Sequence, residues 1–472
     1  LVDYEKISQT DPDFIPMKPP DLAAVRMNME EASERDRQQA RQRLIGLSRR
    51  HTEELRAWWI RRMIVTPRPL EEKMTLFWHG LFTSGEREVR GGHLLARQNA
   101  LLRAHALGSF RDLLLGISKD PAMLRYLDNA SNRKGHPNEN YARELMELFT
   151  MGEGNYTEKD VTEAARALTG WAVTPEGEFR VVRRAHDDGS KTLLGATGNF
   201  GGEDVIDIIL KQKATPRHLA TRLIKFFVQD EPPADLVDAL TARLRKNKYD
   251  LRDALRGLFK SEAFYSNDAV LSQIKSPVEL IVGTLRRLEI EPQDFAAMVF
   301  VCRNMGQDLF QPPNVKGWDG GRDWITTATL FTRYNVALAL VRGTGDIRGR
   351  GLGRALANRF REAVEDMQAN SADYPGLYIP PPQVESSAQP PYDPLPILES
   401  SHLTTPDQVV DHFVQRLLGM PITAQQHEEL REVLLGASVD RDDAEMAGWK
   451  PSRERVVALL IVIMSMPEYQ LN

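Results

Sequence analysis

The segment 138–149, NENYARELMELF, sorts its side chains onto opposite faces when wound at about 100° per residue. Tyr141, Leu145, Leu148 and Phe149 fall on one face, and Asn140, Arg143, Glu144 and Glu147 on the other. That pattern commits the segment to a helix with one buried and one polar side. After a glycine loop at 152–155, Thr157 opens a second helical segment, TEKDVTEAARALTGW, in which Asp160 stands as the acidic partner of a capping box. Two polar-capped helices in succession set the pattern for the rest of the chain.

Residues 21–63 are dense in Glu, Arg, Gln and Leu with few breakers, and EEKMTLFWHGLF lines Met74, Phe77, Trp78 and Leu81 on one stripe. Helical periodicity resumes from Gly202 to about Leu288, with Ser276 and Pro277 as N-cap and first-turn proline. Thr405-Pro406 and Thr423 begin two further helices, and Arg453 to Ser465 forms the last, its apolar run read as a buried core helix. The one clear β signal is FRVVRR, AHDDGS, KTLLG. Asp188-Gly189 between two short apolar runs predicts a hairpin over 179–194. The expected class is all-α, multi-helical and globular, with a small β-hairpin excursion.

The run 311–325, QPPNVKGWDGGRDWI, is too rich in Pro and Gly to be regular and reads as an ordered loop. Eight prolines in 374–396 mark a linker or surface insertion. Three parts are therefore expected: a helical core over 1–345, a Pro-rich linker or insertion over 346–400, and a C-terminal helical segment over 401–472.

Sixty-six acidic against 61 basic side chains leave a formal charge of −5, which gives no global field to recruit nucleic acid or an anionic membrane. No apolar run approaches the roughly 20 residues that span a bilayer. The single cysteine, Cys302, excludes an internal disulfide framework and any cysteine-based metal cluster.

The polar face of the first helix carries Arg143, Glu144 and Glu147, all chemically capable, with Asn140 as a binding group. Two readings stay open. Glu139 and Arg143 suit an ordinary i, i+4 ion pair on a solvated face. Alternatively, Glu144 and Glu147 share a metal, or one is held protonated as a general acid by the other. Glu163 and Arg166, one turn apart on the second helix, pair with each other or join the same network. His79, beside the apolar stripe, and His186, at the predicted turn, complete a set with Glu144 and Glu147. Imidazole plus carboxylate suits a divalent metal ion such as zinc, iron or manganese. The alternative is that both histidines serve loop carbonyls. Trp171, Trp318 and Trp324 sit at helix ends or in Gly/Pro loops, where tryptophans either stack on sugars or anchor the core. No GxSxG elbow and no glycine-rich phosphate loop is present.

Several strings resemble one bacterial family from end to end: KMTLFWHGLF, RAHALGSFRDLLLGISKDPAMLRYLDN, NENYARELMELFTMGEGNYTEKDVTEAARALTGW, HDDGSKTLLG, IKSPVELIVG, MGQDLFQPPNVKGWDGG and SMPEYQL. The family is the domain of unknown function 1800. The resemblance is dense over 60–340 and thin beyond. It implies an exported, extracytoplasmic protein, and a partner among the sulfatase-like proteins often encoded nearby. It supplies no reaction. Against the family pattern the chain, which starts at Leu1, looks N-terminally shortened, and the Pro-rich insertion is a departure from it. The functional expectation is acid/base or metal-assisted chemistry on an envelope or extracellular polymer. A non-catalytic envelope component and a carbohydrate-binding module are the rivals.

Overall fold

Pro69 at the first helical position and Glu71 and Glu72 in the first turn start a helix that runs to Leu81. Its stripe of Met74, Phe77, Trp78 and Leu81 is buried as the periodicity predicts. Trp78 stacks on Phe82 at 5.7 Å and Phe110 at 5.8 Å and meets Phe77 edge-on. These contacts come from a computed structural model that describes residues 33–292, 294–342, 392–436 and 449–472.

The chain divides into two compact units. Of the described residues, the first comprises those up to Gln273 together with Leu309–Asp319, and the second those of Ile274–Asp308 and from Gly320 onward. Most of the linker expected at 346–400 lies outside the described residues. Its end does not: Leu395–Ser400 is a short helix with Pro396 in its first turn.

In the first unit, helices Glu34–Val65, Pro69–Leu81, Gly92–Ala104, Phe110–Ser118 and Pro121–Tyr126 lead to the paired segments that carry the candidate site. Helices Gly202–Lys211, Ala214–Phe227, Ala234–Lys246 and Leu251–Phe259 follow them. Glu72 is buried among the first three. It accepts hydrogen bonds from Trp59 Nε1 at 2.8 Å, Arg62 Nε at 2.6 Å and Arg103 Nε at 2.6 Å. Burial alone would raise its carboxyl pKa, but the Arg103 and Arg62 guanidiniums outweigh that and hold it below the usual value. The cluster ties three helices together.

The β excursion contains two hairpins. β1 (Trp171–Val173) pairs with β2 (Phe179–Val181), and β3 (Lys191–Leu193) pairs with β4 (Ala196–Gly198), all antiparallel. The predicted 179–194 hairpin is corrected in its pairing: FRV turns back onto WAV, and KTL pairs forward with ATG. Asp188-Gly189 lies in the connection, where Gly189 N donates to Asp187 Oδ1 at 2.9 Å. An Asp-Gly pair marks a tight turn whether or not strands flank it, so it could not identify the pairing.

The second unit holds helices Pro277–Arg287, Phe295–Asn304, Thr327–Arg342, Pro406–Leu417, Ala424–Leu435 and Arg453–Ser465. Val456, Leu459, Leu460 and Ile463 of the last are buried. Ser276, Thr405 and Thr423 form capping boxes where the sequence places them. Among the described residues no helix is long and apolar enough to cross a membrane.

Candidate functional site

The two-faced segment folds as expected on its apolar side, with Tyr141, Leu145 and Phe149 buried. Its backbone departs from expectation. An α-helical stretch, Asn140–Glu144, passes into a π-helix over Leu145–Met151. Wider i→i+5 turns of this kind are rare and gather at functional sites. Thr150 Oγ1 donates to the Leu145 carbonyl inside the π segment, and Asn155 Nδ2 donates to the Met151 carbonyl at 2.9 Å just past it. Gly152, at φ 78°, terminates it.

Arg143 is committed to carboxylates. It pairs with Glu139 at 3.3 Å, the i, i+4 partner read from the sequence, and with Glu158 of the next helix at 2.7 Å. Glu139 also accepts from Thr162 Oγ1 at 2.7 Å, so the polar edges of the two helices are joined. Glu147 accepts from Tyr156 OH at 2.8 Å. Glu144 is half-buried and forms no hydrogen bond or ion pair among the described residues. Burial and, next, the Glu147 carboxylate push its pKa up, while Arg143 and Lys316 act in the opposite direction. Burial and the bond to Glu147 also raise the Tyr156 phenol. The pair therefore holds one uncommitted carboxyl, its pKa raised by burial and by its neighbour, and one carboxyl fixed by a phenol. Asn140 is exposed at the start of the same helix.

Glu163 and Arg166 belong to a second, closed cluster. Arg166 binds Glu163 at 2.9 Å and Asp187 at 2.9 Å, and Glu163 also accepts from Thr192 N at 3.0 Å. Lys191 is buried, with its ammonium bonded to the carbonyls of Asp187 and Gly189. His186 Nδ1 donates to the Thr169 carbonyl at 2.9 Å. The HDDGSK string thus straps the 158–167 helix to β3.

His79 is buried beside Trp59, Phe310 and Trp318. Its Nε2 accepts from Phe310 N at 3.1 Å, and burial, then Arg56, lowers its pKa to about 3. With that lone pair engaged and Nδ1 bearing the hydrogen, His79 offers no free nitrogen to a metal. Among the described residues, no group of three or more His, Cys, Asp and Glu side chains is placed to hold a metal ion.

The 309–319 loop lies against the end of the 69–81 helix. Arg56 Nε donates to Leu309 O at 2.6 Å and Thr83 Oγ1 to Val315 O at 2.9 Å. Gly317, at φ 85°, is required there, since a Cβ would collide with the Gly80 carbonyl. The loop brings Lys316 near Glu144 and half-buried Trp318 onto His79. Trp171 is a core side chain packed on Gly202 and Phe179. Trp324, in the second unit, is also buried.

Tyr156, Lys316 and His218, whose Nε2 donates to the Leu148 carbonyl at 2.9 Å, were not singled out by sequence reasoning. Tyr156 was the most accessible of them, as the aromatic directly before the Thr157 cap. The other two are remote in sequence and carry no local signal. No curated protein and no solved structure matches the chain. The sequence profile of one family matches residues 6–471, and the chain accordingly belongs to the family described as protein of unknown function DUF1800.

Proposed function

We propose that the first unit carries an acid/base centre, with Glu144 as proton donor and Glu147 as the carboxylate that serves as base. The observation that carries this reading is Glu144 itself: half-buried, without a bonding partner among the described residues, and with its pKa raised by burial and by Glu147. Its carboxyl oxygens are not among the buried unpaired atoms, so they reach solvent and are open to a substrate. A carboxyl with a raised pKa and no partner suits proton delivery to a leaving group, while its neighbour activates water. Tyr156 holds Glu147 by its hydroxyl and steadies the carboxylate. The substrate class that fits is an extracytoplasmic glycan or peptidoglycan polymer, whose glycosidic bonds break by this two-carboxylate route.

Purified protein incubated with isolated peptidoglycan and with soluble polysaccharides, read by new reducing ends and new amino groups, tests the reading. Release that disappears in both Glu144→Gln and Glu147→Gln is the expected result. Wild-type protein that releases nothing between pH 4 and 8 would sink it.

The closed Glu163–Arg166–Asp187 cluster favours a second reading, a non-catalytic envelope component. There the charged groups serve packing, and the protein binds a partner such as a sulfatase-like protein encoded nearby. Co-purification of that partner from cell-envelope fractions, with no polymer release, distinguishes it.

A further inference from the structure

The π-helix Leu145–Met151 needs an explanation, because such turns are rare and the sequence pattern itself suits the α period. Such a turn persists only where surrounding groups hold it. Three side chains serve carbonyls in or at the end of it. Thr150 and Asn155 are local, five and four residues from the carbonyls they serve. The third is His218 of the Ala214–Phe227 helix, 70 residues from Leu148. Of the three it is the one that ties the π turn to a separate element.

A carbonyl can only accept, so His218 Nε2 carries the hydrogen and Nδ1 the lone pair. That second nitrogen lies against the π-helix terminus, where a Cβ on Gly152 would come within 3.0 Å of it. The imidazole therefore bonds the π segment at the Leu148 carbonyl and stands beside Gly152, just past its end. Burial lowers its pKa, so the neutral ring with a single N–H is the form present near neutral pH. Glu147 precedes the bonded residue by one position. Relaxation to α geometry would change how many residues fill the turn and rotate Glu147 relative to Glu144, which lies outside the π stretch.

We propose that His218 is a positioning residue for the Glu144–Glu147 pair, holding the π turn through the Leu148 carbonyl so that the two carboxyl groups face each other. This rests on reading the pair as an acid/base centre. It is tested without any substrate, on full-length protein with ¹³C-labelled glutamate carboxyls, Glu144 being assigned through Glu144→Gln. In His218→Leu the Glu144 titration midpoint should fall by about 0.5 pH unit or more towards the ordinary glutamate value. In His218→Gln, whose amide N–H reaches the same carbonyl, it should stay within about 0.2 unit of wild type. An unchanged Glu144 midpoint in His218→Leu overturns the proposal. Should that variant not fold, the ring ¹⁵N shifts of wild-type His218 decide. Protonation at Nε2 with a bare Nδ1 supports it, and the opposite tautomer overturns it. A His218-dependent midpoint in a protein that cleaves no polymer would refute the catalytic reading alone. Cleavage with a His218-independent midpoint would refute the positioning role alone.

Discussion

Two charged clusters stand on consecutive helices of the first unit, and the same sequence signal marks both. Around Arg166, every charge meets a partner: Glu163, Asp187 and two backbone groups close the cluster on itself. Around Glu144, Arg143 is drawn away to Glu139 and Glu158, Glu147 is taken by Tyr156, and Glu144 is left over. Donor and acceptor accounting separates them where residue type does not. A closed cluster stabilises the fold, and an incomplete one is available for chemistry.

The sharpest way to break this contrast is Glu144→Gln. Polymer cleavage should fall about 10²- to 10⁴-fold in kcat/KM, while the denaturation midpoint moves by less than about 0.5 kcal/mol equivalent, since no bond is lost. A large loss of stability would place Glu144 in the structural class. Arg166→Met reverses the pattern. It leaves Glu163 and Asp187 half-buried without their cation and should cost about 2–3 kcal/mol by urea denaturation, with cleavage per folded molecule retained.

Acid titration sharpens the comparison further. The Arg166 guanidinium holds the Asp187 carboxyl down at about 2. A depressed folded pKa stabilises above the unfolded value and is lost as pH falls through the folded one. The stability gap between wild type and Arg166→Met should therefore narrow as pH drops from about 4 towards 2. Asp120 is the opposite case, fully buried with Gln98 and the Met123 amide but no cation bonded to it, and its carboxyl is pushed up to about 6. Its raised folded pKa favours the native state fully below the unfolded value, an advantage lost as pH rises through about 6. Asp120→Asn, which keeps a helix cap, should flatten the wild-type decline in melting temperature between pH 4 and 7. An unaltered profile would mean that burial without a cation is not what raises carboxyl groups in this fold. The smallest effect belongs to Arg143→Ala. Its partners are more than a third exposed, so thermal denaturation should register less than about 1 kcal/mol.

Legibility followed locality. Thr157, Ser276, Thr405 and Thr423 cap the helices they were expected to open, because a cap is a matter of a few adjacent residues. The buried faces of 69–81 and 140–149 followed from period alone. Strand pairing did not, because FRVV can pair with either neighbour and the choice depends on what each strand packs against. The π turn was not legible either, since it depends on His218 from another helix. Nor was the partner of His79 legible: its Nε2 accepts from Phe310 N, 231 positions along the chain.

The amino-acid sequence by itself determined a helical chain with a small β excursion, its helix starts, its apolar faces and its family. Those properties arise from side-chain period and from caps within one turn. Tertiary structure alone decided which carboxylate stays without a partner, which lone pair is already engaged and where a helix widens to the π form. Each of these depends on groups brought together from distant parts of the chain, and such meetings leave no mark in local sequence.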